Sequence, residues 1–398
     1  MQENKDRKLL IFINLAVQIM FVFYSIFFNI FIYTLNSDIF FILILNIFLF
    51  SVEILFQLFL TKILSQKNAM IIYRTSFLMI FASILFAFFV TESTLWLAWV
   101  IMGFFGIAKM CFYVPHEIAV MHKGKNVSMQ KFVGASSIVS SASAILSPFL
   151  SGFIIGIWNY FTIFVIILIL ALIAFTLSIF LKNFYQEPKT NFSLSQVFKM
   201  SYETPKTKFA LWAFAFEKFS QASVIPLLLP VLLFLKTGTE MSVGLYSSLI
   251  ALFATITLAV YIGCAKGNSK LILLLAAVLN VLASFVLIFY PTFLTFIIYY
   301  VIRECSYKIY HNAMTATIFT ANKNTLFAEN RREYHMVFST FNHCSALLAT
   351  IIATSAYLVF PSELCLSIII LALSTTQFLS LYFLNKSEAC NVNNSEKC

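Results

Sequence analysis

Two apolar stretches of the chain carry four polar side chains each, at the same spacing. The residues are Lys109, Tyr113, His116 and Glu117 in the first, and Arg303, Tyr307, Tyr310 and His311 in the second. The spacing i, i+4, i+7, i+8 puts all four on one face of an α-helix. Lys109 and Arg303 are 194 positions apart. We therefore interpret the two stretches as equivalent helices of an internal repeat.

These residue types suit binding and proton transfer in a cavity. Two cations would attract an anionic group of a substrate, or hold nearby carboxylates ionised until a proton releases them. Tyrosine has an apolar ring and a polar tip, which suits a cavity wall. Lys109 and Arg303 are the strongest candidates, because equivalent helices place them at matching depths.

More charged residues lie inside apolar stretches, where inserting one costs about 2.5–3.5 kcal/mol. Such residues face a water-filled cavity or a partner and mark substrate and ion paths. Nine residues are assigned to a substrate and ion pathway, namely Lys109, Tyr113, Arg303, Tyr307, Tyr310, His311, Glu217, Lys218 and Glu53. We assign to gating or salt bridges His116, Glu117, Glu304, Lys308 and Lys62.

Several of these residues also have simpler interpretations. Glu304 and Lys308 are spaced i, i+4 and could neutralise each other within one helix. Glu117 could be a solvated residue at the mouth of the cavity. Glu53 must be protonated or paired across helices. His343, alone on an apolar helix, is typical of a hydrogen-bonded core residue.

The composition places these residues in a membrane. Of 398 residues, 61% are hydrophobic and 11% are charged, whereas soluble domains carry roughly 25% charged residues. A bilayer core needs about 20 apolar residues per helix. Twelve such spans are predicted, near 9–34, 38–62, 69–90, 93–121, 132–156, 160–182, 208–235, 241–264, 270–288, 292–319, 334–359 and 362–385.

The basic residues orient these spans. The net charge of +10 could suggest nucleic acid, but Lys and Arg fall mainly on alternate connections, as the positive-inside rule predicts. Both termini are then cytoplasmic, and no nucleic-acid partner is needed. The polar segment 183–207 separates an N-terminal six-helix bundle (1–182) from a C-terminal one (208–385), which a tail (386–398) follows.

Enzyme motifs are incomplete in this sequence. His116 and Glu117 resemble the start of HExxH, but Val120 stands where the second His is needed. No Cys/His spacing for zinc, nucleophile elbow or phosphate-binding loop is evident. We expect no enzyme activity, no metal and no cofactor.

The six-plus-six layout with cytoplasmic termini resembles the major facilitator superfamily over essentially the whole chain. That family carries G-x3-D-R/K-x-G-R/K-R/K between its second and third helices, of which this chain keeps Lys62, with Lys67 close by. Its drug and metabolite antiporters carry g-x3-G-P-x-x-G-G in the fifth helix. The matching residues, which suit close helix packing, are Ser143, Ser147, Pro148, Ser151 and Gly152.

Two further stretches are similar to a poorly characterised group of permeases in low-GC Gram-positive bacteria. They surround Lys131-Phe132 and Arg332-Glu333-Tyr334. The resemblance implies an all-α polytopic membrane protein of twelve transmembrane helices in two six-helix bundles. It implies a location in the bacterial cytoplasmic membrane.

The sequence favours a secondary active transporter. We expect proton-coupled export of small organic or amphipathic compounds by alternating access, with Glu53 or Glu217 as proton carrier. Proton-coupled uptake of an anionic nutrient is the alternative that Lys109 and Arg303 suggest. A non-transporting membrane sensor and a membrane-embedded lipid-modifying enzyme are the alternatives of other classes. The expected partners are a small-molecule substrate, protons and the lipid bilayer, and the expected state is a monomer.

The orientation predicts which tags a membrane-impermeant reagent reaches in intact cells. Tags at Lys5, Lys199 and Lys397 should react only after the membrane is opened, because all three are predicted to be cytoplasmic. A tag beside Glu240 should react in intact cells. A tag at Lys199 that reacts from outside would contradict the twelve-span topology.

Overall fold

The computed structural model describes residues 2–64, 68–123, 128–181, 194–221, 225–264, 269–321 and 331–392. This part of the chain is helical apart from short connections, and it contains no strand. The α-helices are α1 Gln2–Phe23, α2 Asn29–Asn36, α3 Ile39–Ile63, α4 Ala69–Ala87, α5 Leu97–Lys123, α6 Ser128–Ile157, α7 Tyr160–Ile179, α8 Leu194–Glu203, α9 Pro205–Gln221, α10 Ile225–Thr237, α11 Glu240–Cys264, α12 Ser269–Phe289, α13 Phe293–Ala321, α14 Arg331–Val359, α15 Glu363–Thr375 and α16 Gln377–Val392.

Helix length and composition confirm a multi-pass membrane protein. Eleven helical segments in the described residues are long and apolar enough to cross a bilayer. Helix α13 has 29 residues, which is also enough, but Arg303, Glu304 and Lys308 lower its apolar character. With α13 the spans reach the predicted twelve. Large apolar side chains such as Phe161 and Leu294 are exposed, as suits contact with lipid.

The first span contains a π-helical turn, Tyr24–Phe28, between α1 and α2. The Tyr24 ring stacks on Phe105 with centroids 4.0 Å apart. Its hydroxyl forms a hydrogen bond with Ser83 of α4. This turn therefore carries buried contacts from the first span to both α4 and α5.

The described chain forms two compact units. Unit 1 comprises Met1–Glu187 with Leu227–Ala251, and unit 2 comprises Pro188–Pro226 with Leu252–Cys398. Residues 227–251, which the sequence places in the second bundle, thus group with the first. The predicted six-plus-six division at 183–207 stays a prediction.

A close helix contact explains this grouping. In unit 1, α6 meets the first turns of α11 at Gly152 and Gly244. A Cβ at Gly152 would lie 2.5 Å from the Glu240 carbonyl oxygen and 2.9 Å from the Gly244 Cα. A Cβ at Gly244 would collide with the Pro148 carbonyl oxygen. Nearby, the Tyr160 hydroxyl donates to Glu240 Oε1 at 3.2 Å.

Unit 2 is held by an apolar core and a polar seam. Helix α9 packs on α13, α14 and α16, and α12 packs on α13 and α15. Along α12, Asn280 Nδ2 donates to Gln377 Oε1 at 3.1 Å, and Ser284 Oγ donates to Ser374 Oγ at 3.1 Å. All four residues are buried. Such bonds link helices where no water competes.

Part of the predicted central loop is a helix. Residues 182–193 lie outside the described residues, but Leu194–Glu203 forms α8. Helix α8 packs on α9 and α14, and its Val197 belongs to the apolar core of unit 2. This segment of the polar stretch therefore contributes to packing as well as to connection.

The glycine contact predicts a position-specific loss of stability. Gly152→Ala should lower the free energy of unfolding by about 1–3 kcal/mol, because both clashing groups are backbone and the helices must separate. Gly103→Ala is the matched control, since its Cβ would lie 3.6 Å from the nearest Phe48 atom. Thermal unfolding in detergent measures both. Equal melting temperatures would contradict the close contact.

Candidate functional site

An ion pair joins α3 and α5 in unit 1. Lys109 Nζ lies 2.6 Å from Glu53 Oε1. The Glu53 side chain is fully buried and that of Lys109 is 26% exposed. A Cβ on Gly106 would lie 3.1 Å from Val52 of α3, so this glycine admits the close packing that aligns the two charges. Glu53 is thus paired across helices.

Aromatic side chains surround the neighbouring positions of α5. The Tyr113 ring packs 5.3 Å from Phe21. His116 is buried and stacks on Phe112, with ring centroids 4.9 Å apart. Both residues thus lie in an aromatic cluster of unit 1. The predicted gating residue Lys62 is exposed at the end of α3, and the Glu117 side chain lies outside the described residues.

The second predicted face, on α13, forms a stack in unit 2. The Arg303 guanidinium lies 5.5 Å from the centroid of the Tyr307 ring, which stacks on His311 at 5.5 Å. Arg303 is 1% exposed and pairs with its neighbour Glu304. Its charge is therefore matched within the helix. Glu304 thus pairs with Arg303, whereas a pairing with Lys308 was one of two interpretations that the sequence left open.

Tyr310, the fourth member of this face, lies elsewhere. Its side chain is fully buried in the apolar core of unit 2, beside residues of α9 and α14. Lys308 is half-buried. The structure thus separates Tyr310 from the stack of Arg303, Tyr307 and His311.

A buried carboxylate meets this stack from α9. The Glu217 side chain is fully buried, and its Oε1 lies 3.6 Å from Nδ1 of His311, whose side chain is 45% exposed. Neither carboxylate oxygen of Glu217 accepts a hydrogen bond from the residues that the structure describes. Lys218, half-buried, lies with Glu217, Arg303 and Glu304 within electrostatic reach of the Tyr307 phenol.

This arrangement leaves a buried carboxylate with few described groups to stabilise its charge. A buried carboxylate without hydrogen bonds is costly in its charged form. Either a proton on Glu217 or a protonated His311 removes that cost. The exposed part of His311 gives the pair access to its surroundings. Glu217 of α9 and His311 of α13 are thus two ionisable side chains of unit 2 that face each other.

The predicted packing motif lies on α6. Its members, Ser143, Ser147, Pro148, Ser151 and Gly152, are all buried. The Pro148 backbone and Gly152 form the contact with Gly244.

Sequence reasoning missed the buried amides. In unit 1 Asn46 Nδ2 donates to Asn29 Oδ1 at 3.2 Å, and Asn280 and Gln377 form the matching feature of unit 2. The signal was available, because a buried amide in an apolar helix needs a partner.

Comparisons with known proteins support the fold. No protein-family profile matches the sequence, and a comparison with curated proteins gives no match. Among solved structures, the nucleoside transporter NupG aligns with a TM-score of 0.71 at 12% identity, over 97% of this chain and 100% of NupG. A bacterial homologue of the human lysosomal transporter Spinster, inward-facing and unoccupied, aligns with a TM-score of 0.66 at 10% identity, over 100% of this chain and 99% of the homologue.

These likenesses confirm the predicted fold class. The chain has an all-α polytopic membrane fold of the major facilitator type. The roles of the pathway and gating residues stay predictions, as does the central cavity in which Lys109 and Arg303 were expected to meet.

The Glu53–Lys109 pair predicts a coupled effect on stability. Lys109→Met should lower the free energy of unfolding by about 1–3 kcal/mol. The loss should be smaller than on breaking a fully buried ion pair, because Lys109 is partly exposed. Adding Glu53→Gln should restore most of the loss, since no buried charge then remains. Lys62→Met, an exposed lysine of α3, is the control. Additive effects of the two changes in thermal unfolding would exclude the coupling.

Proposed function

We propose that this chain is a proton-coupled secondary transporter that exports small organic or amphipathic compounds by alternating access. The observation that best supports this proposal is the Glu217 carboxylate. It lies fully buried inside a membrane span, and it accepts no hydrogen bond from the described residues. Ionisable residues at such depth mark ion and proton paths. The fold shared with NupG and the Spinster homologue supports transport as the class of function.

In this proposal Glu217 carries the proton. When Glu217 is protonated it is neutral and burial costs little. When it releases the proton, a positive charge on His311 at 3.6 Å stabilises the carboxylate. Lys218, Arg303 and Glu304, the other charges near Tyr307, set the local potential. The substrate and the proton would then either compete for the stack of Arg303, Tyr307 and His311 on α13 or occupy it together.

The two matched ion pairs bear on the choice of substrate. Lys109 is paired with Glu53 and Arg303 with Glu304, so each strong cation already has a carboxylate. An anionic nutrient would have to displace these partners. A neutral or cationic amphipathic compound would not, and aromatic rings such as Tyr307 and Tyr113 offer it apolar faces. These contacts favour a neutral or cationic organic compound over an anion as the substrate. Export as the direction rests on the resemblance of the α6 motif to that of antiporters.

In the proposed setting, the orientation rests on the charge pattern, and the bacterial membrane rests on the resemblance to permeases of Gram-positive bacteria. We place the chain in the bacterial cytoplasmic membrane as a monomer, with both termini in the cytoplasm. The proton gradient across that membrane would supply the energy. The absence of a motif for nucleotide binding in the sequence favours this source over ATP.

Purified protein in proteoliposomes tests the proposal. We choose ethidium as the amphipathic test compound, and pyranine reports internal pH under an imposed proton gradient. Wild-type protein should accumulate ethidium only with the gradient. Glu217→Gln keeps the shape and removes the titration, so gradient-driven accumulation should fall at least about tenfold, an effect of 1.4 kcal/mol. Ethidium binding should change little.

Two variants serve as comparisons. Glu217→Asp retains a titratable group and should keep part of the coupling. Glu92→Gln alters an exposed carboxylate outside the site and should behave as wild type. Gradient-driven accumulation by Glu217→Gln at the wild-type rate would refute Glu217 as carrier. Lipid turnover without flux would indicate an enzyme instead.

A further inference from the structure

Two serines of α16 donate hydrogen bonds to the backbone of α9 in unit 2. Ser380 Oγ donates to the Ala213 carbonyl oxygen at 2.9 Å, and Ser387 Oγ donates to the Lys206 carbonyl oxygen at 2.9 Å. Both serines are buried. The two donors are seven residues apart, and so are the two acceptors, in the reverse order along the chain. Seven residues are about two helical turns, so the two bonds lie on one face of each helix.

Aromatic rings pack between these two bonds. Phe383 of α16 stacks on Phe216 of α9 with ring centroids 5.6 Å apart, and on Phe209 of α9 with ring centroids 6.3 Å apart. Phe209 and Phe216 are again seven residues apart. We call this contact the α9–α16 zipper, and it is formed by Lys206, Phe209, Ala213, Phe216, Ser380, Phe383 and Ser387.

The zipper fixes the register of α9 against α16. A shift of α9 by one residue would rotate its side chains by about 100°. Such a shift would break both serine bonds and misplace both ring contacts. The buried Ser143 of α6, in contrast, donates to the Val139 carbonyl oxygen of its own helix, and this bond does not restrain a neighbouring helix.

Glu217 lies one turn after Ala213. In an α-helix the N–H of each residue bonds to the carbonyl four residues earlier, so the carbonyl that Ser380 binds belongs to the turn that ends at Glu217. On the other side, Ser220 Oγ donates to the Glu217 carbonyl oxygen at 3.0 Å. The backbone around Glu217 is therefore held on both sides, and Glu217 Oε1 lies 3.6 Å from Nδ1 of His311.

We propose that Ser380 is a positioning residue for the Glu217 carboxylate. The inference rests on the proposed role of Glu217 as the proton carrier. Ser380 acts through the Ala213 carbonyl, because this bond keeps α9 in the register in which the carboxylate faces His311. Ser387 makes the same kind of bond farther from the carboxylate. Its acceptor lies 11 residues before Glu217, about 16 Å along the helix.

The ethidium assay in proteoliposomes tests this role. Ser380→Ala should lower gradient-driven accumulation about fivefold, the factor that the loss of one hydrogen bond represents, while ethidium binding stays as in wild type. Ser387→Ala loses an equivalent bond and is the matched control. It should melt at about the same temperature as Ser380→Ala but accumulate ethidium as wild type does. Ser380→Cys keeps the size with a weaker donor and should lie between Ser380→Ala and wild type.

A double variant separates positioning from a general loss of stability. If Ser380 acts through Glu217, Ser380→Ala should cause no further loss of accumulation in the Glu217→Gln background. Losses that multiply, or an equal loss of accumulation in Ser387→Ala, would overturn the positioning role. Wild-type accumulation by Ser380→Ala beside a defective Glu217→Gln would overturn the positioning role and leave the proposed function standing. Wild-type accumulation by Glu217→Gln would overturn both.

Discussion

The hydrocarbon core of a bilayer offers a charged side chain neither water nor a hydrogen bond, so each buried charge must find its partner within the protein. Lys109 and Glu53 satisfy this constraint across two helices. Their contact needs α3 and α5 at close range, which Gly106 permits. The ion pair thus fixes the register of these helices, which in turn places Tyr113 and His116 within the aromatic cluster of unit 1.

Unit 2 meets the same constraint differently. Arg303 is matched by its sequence neighbour Glu304, so this pair lies within one helix. Glu217 receives a titratable partner, His311, at 3.6 Å. The two units therefore differ in how their charges are placed. In unit 1 the ion pair joins α3 and α5, whereas in unit 2 one pair lies within α13 and Glu217 of α9 faces His311 of α13.

The positions of the spans were predictable, because about 20 apolar residues per helix is a strong local signal. The face of Arg303, Tyr307 and His311 was also predictable, since helical periodicity alone brings these residues together. The partner of Glu53 was not, because Lys109 is 56 positions away and only packing selects it. The i, i+4 spacing offered Lys308 as one possible partner of Glu304, but the structure pairs Glu304 with the buried Arg303. The grouping of 227–251 with unit 1 rests on the Gly152–Gly244 contact. The small residues around Gly152 predicted a close helix contact, but no local pattern identifies α11 as the partner.

The π-helical turn at Tyr24–Phe28 determines where the first span could lose a single residue without rotating its helical faces. A turn with i→i+5 bonds takes in one residue more than an α-helical turn. Losing one residue there would restore a continuous α-helix and leave the faces of α1 and α2 unrotated. Losing one residue elsewhere in the span would rotate one end by about 100° against its neighbours. The first span therefore contains one short stretch in which a codon deletion is structurally tolerable, although it would remove the present geometry of Tyr24, Ser83 and Phe105.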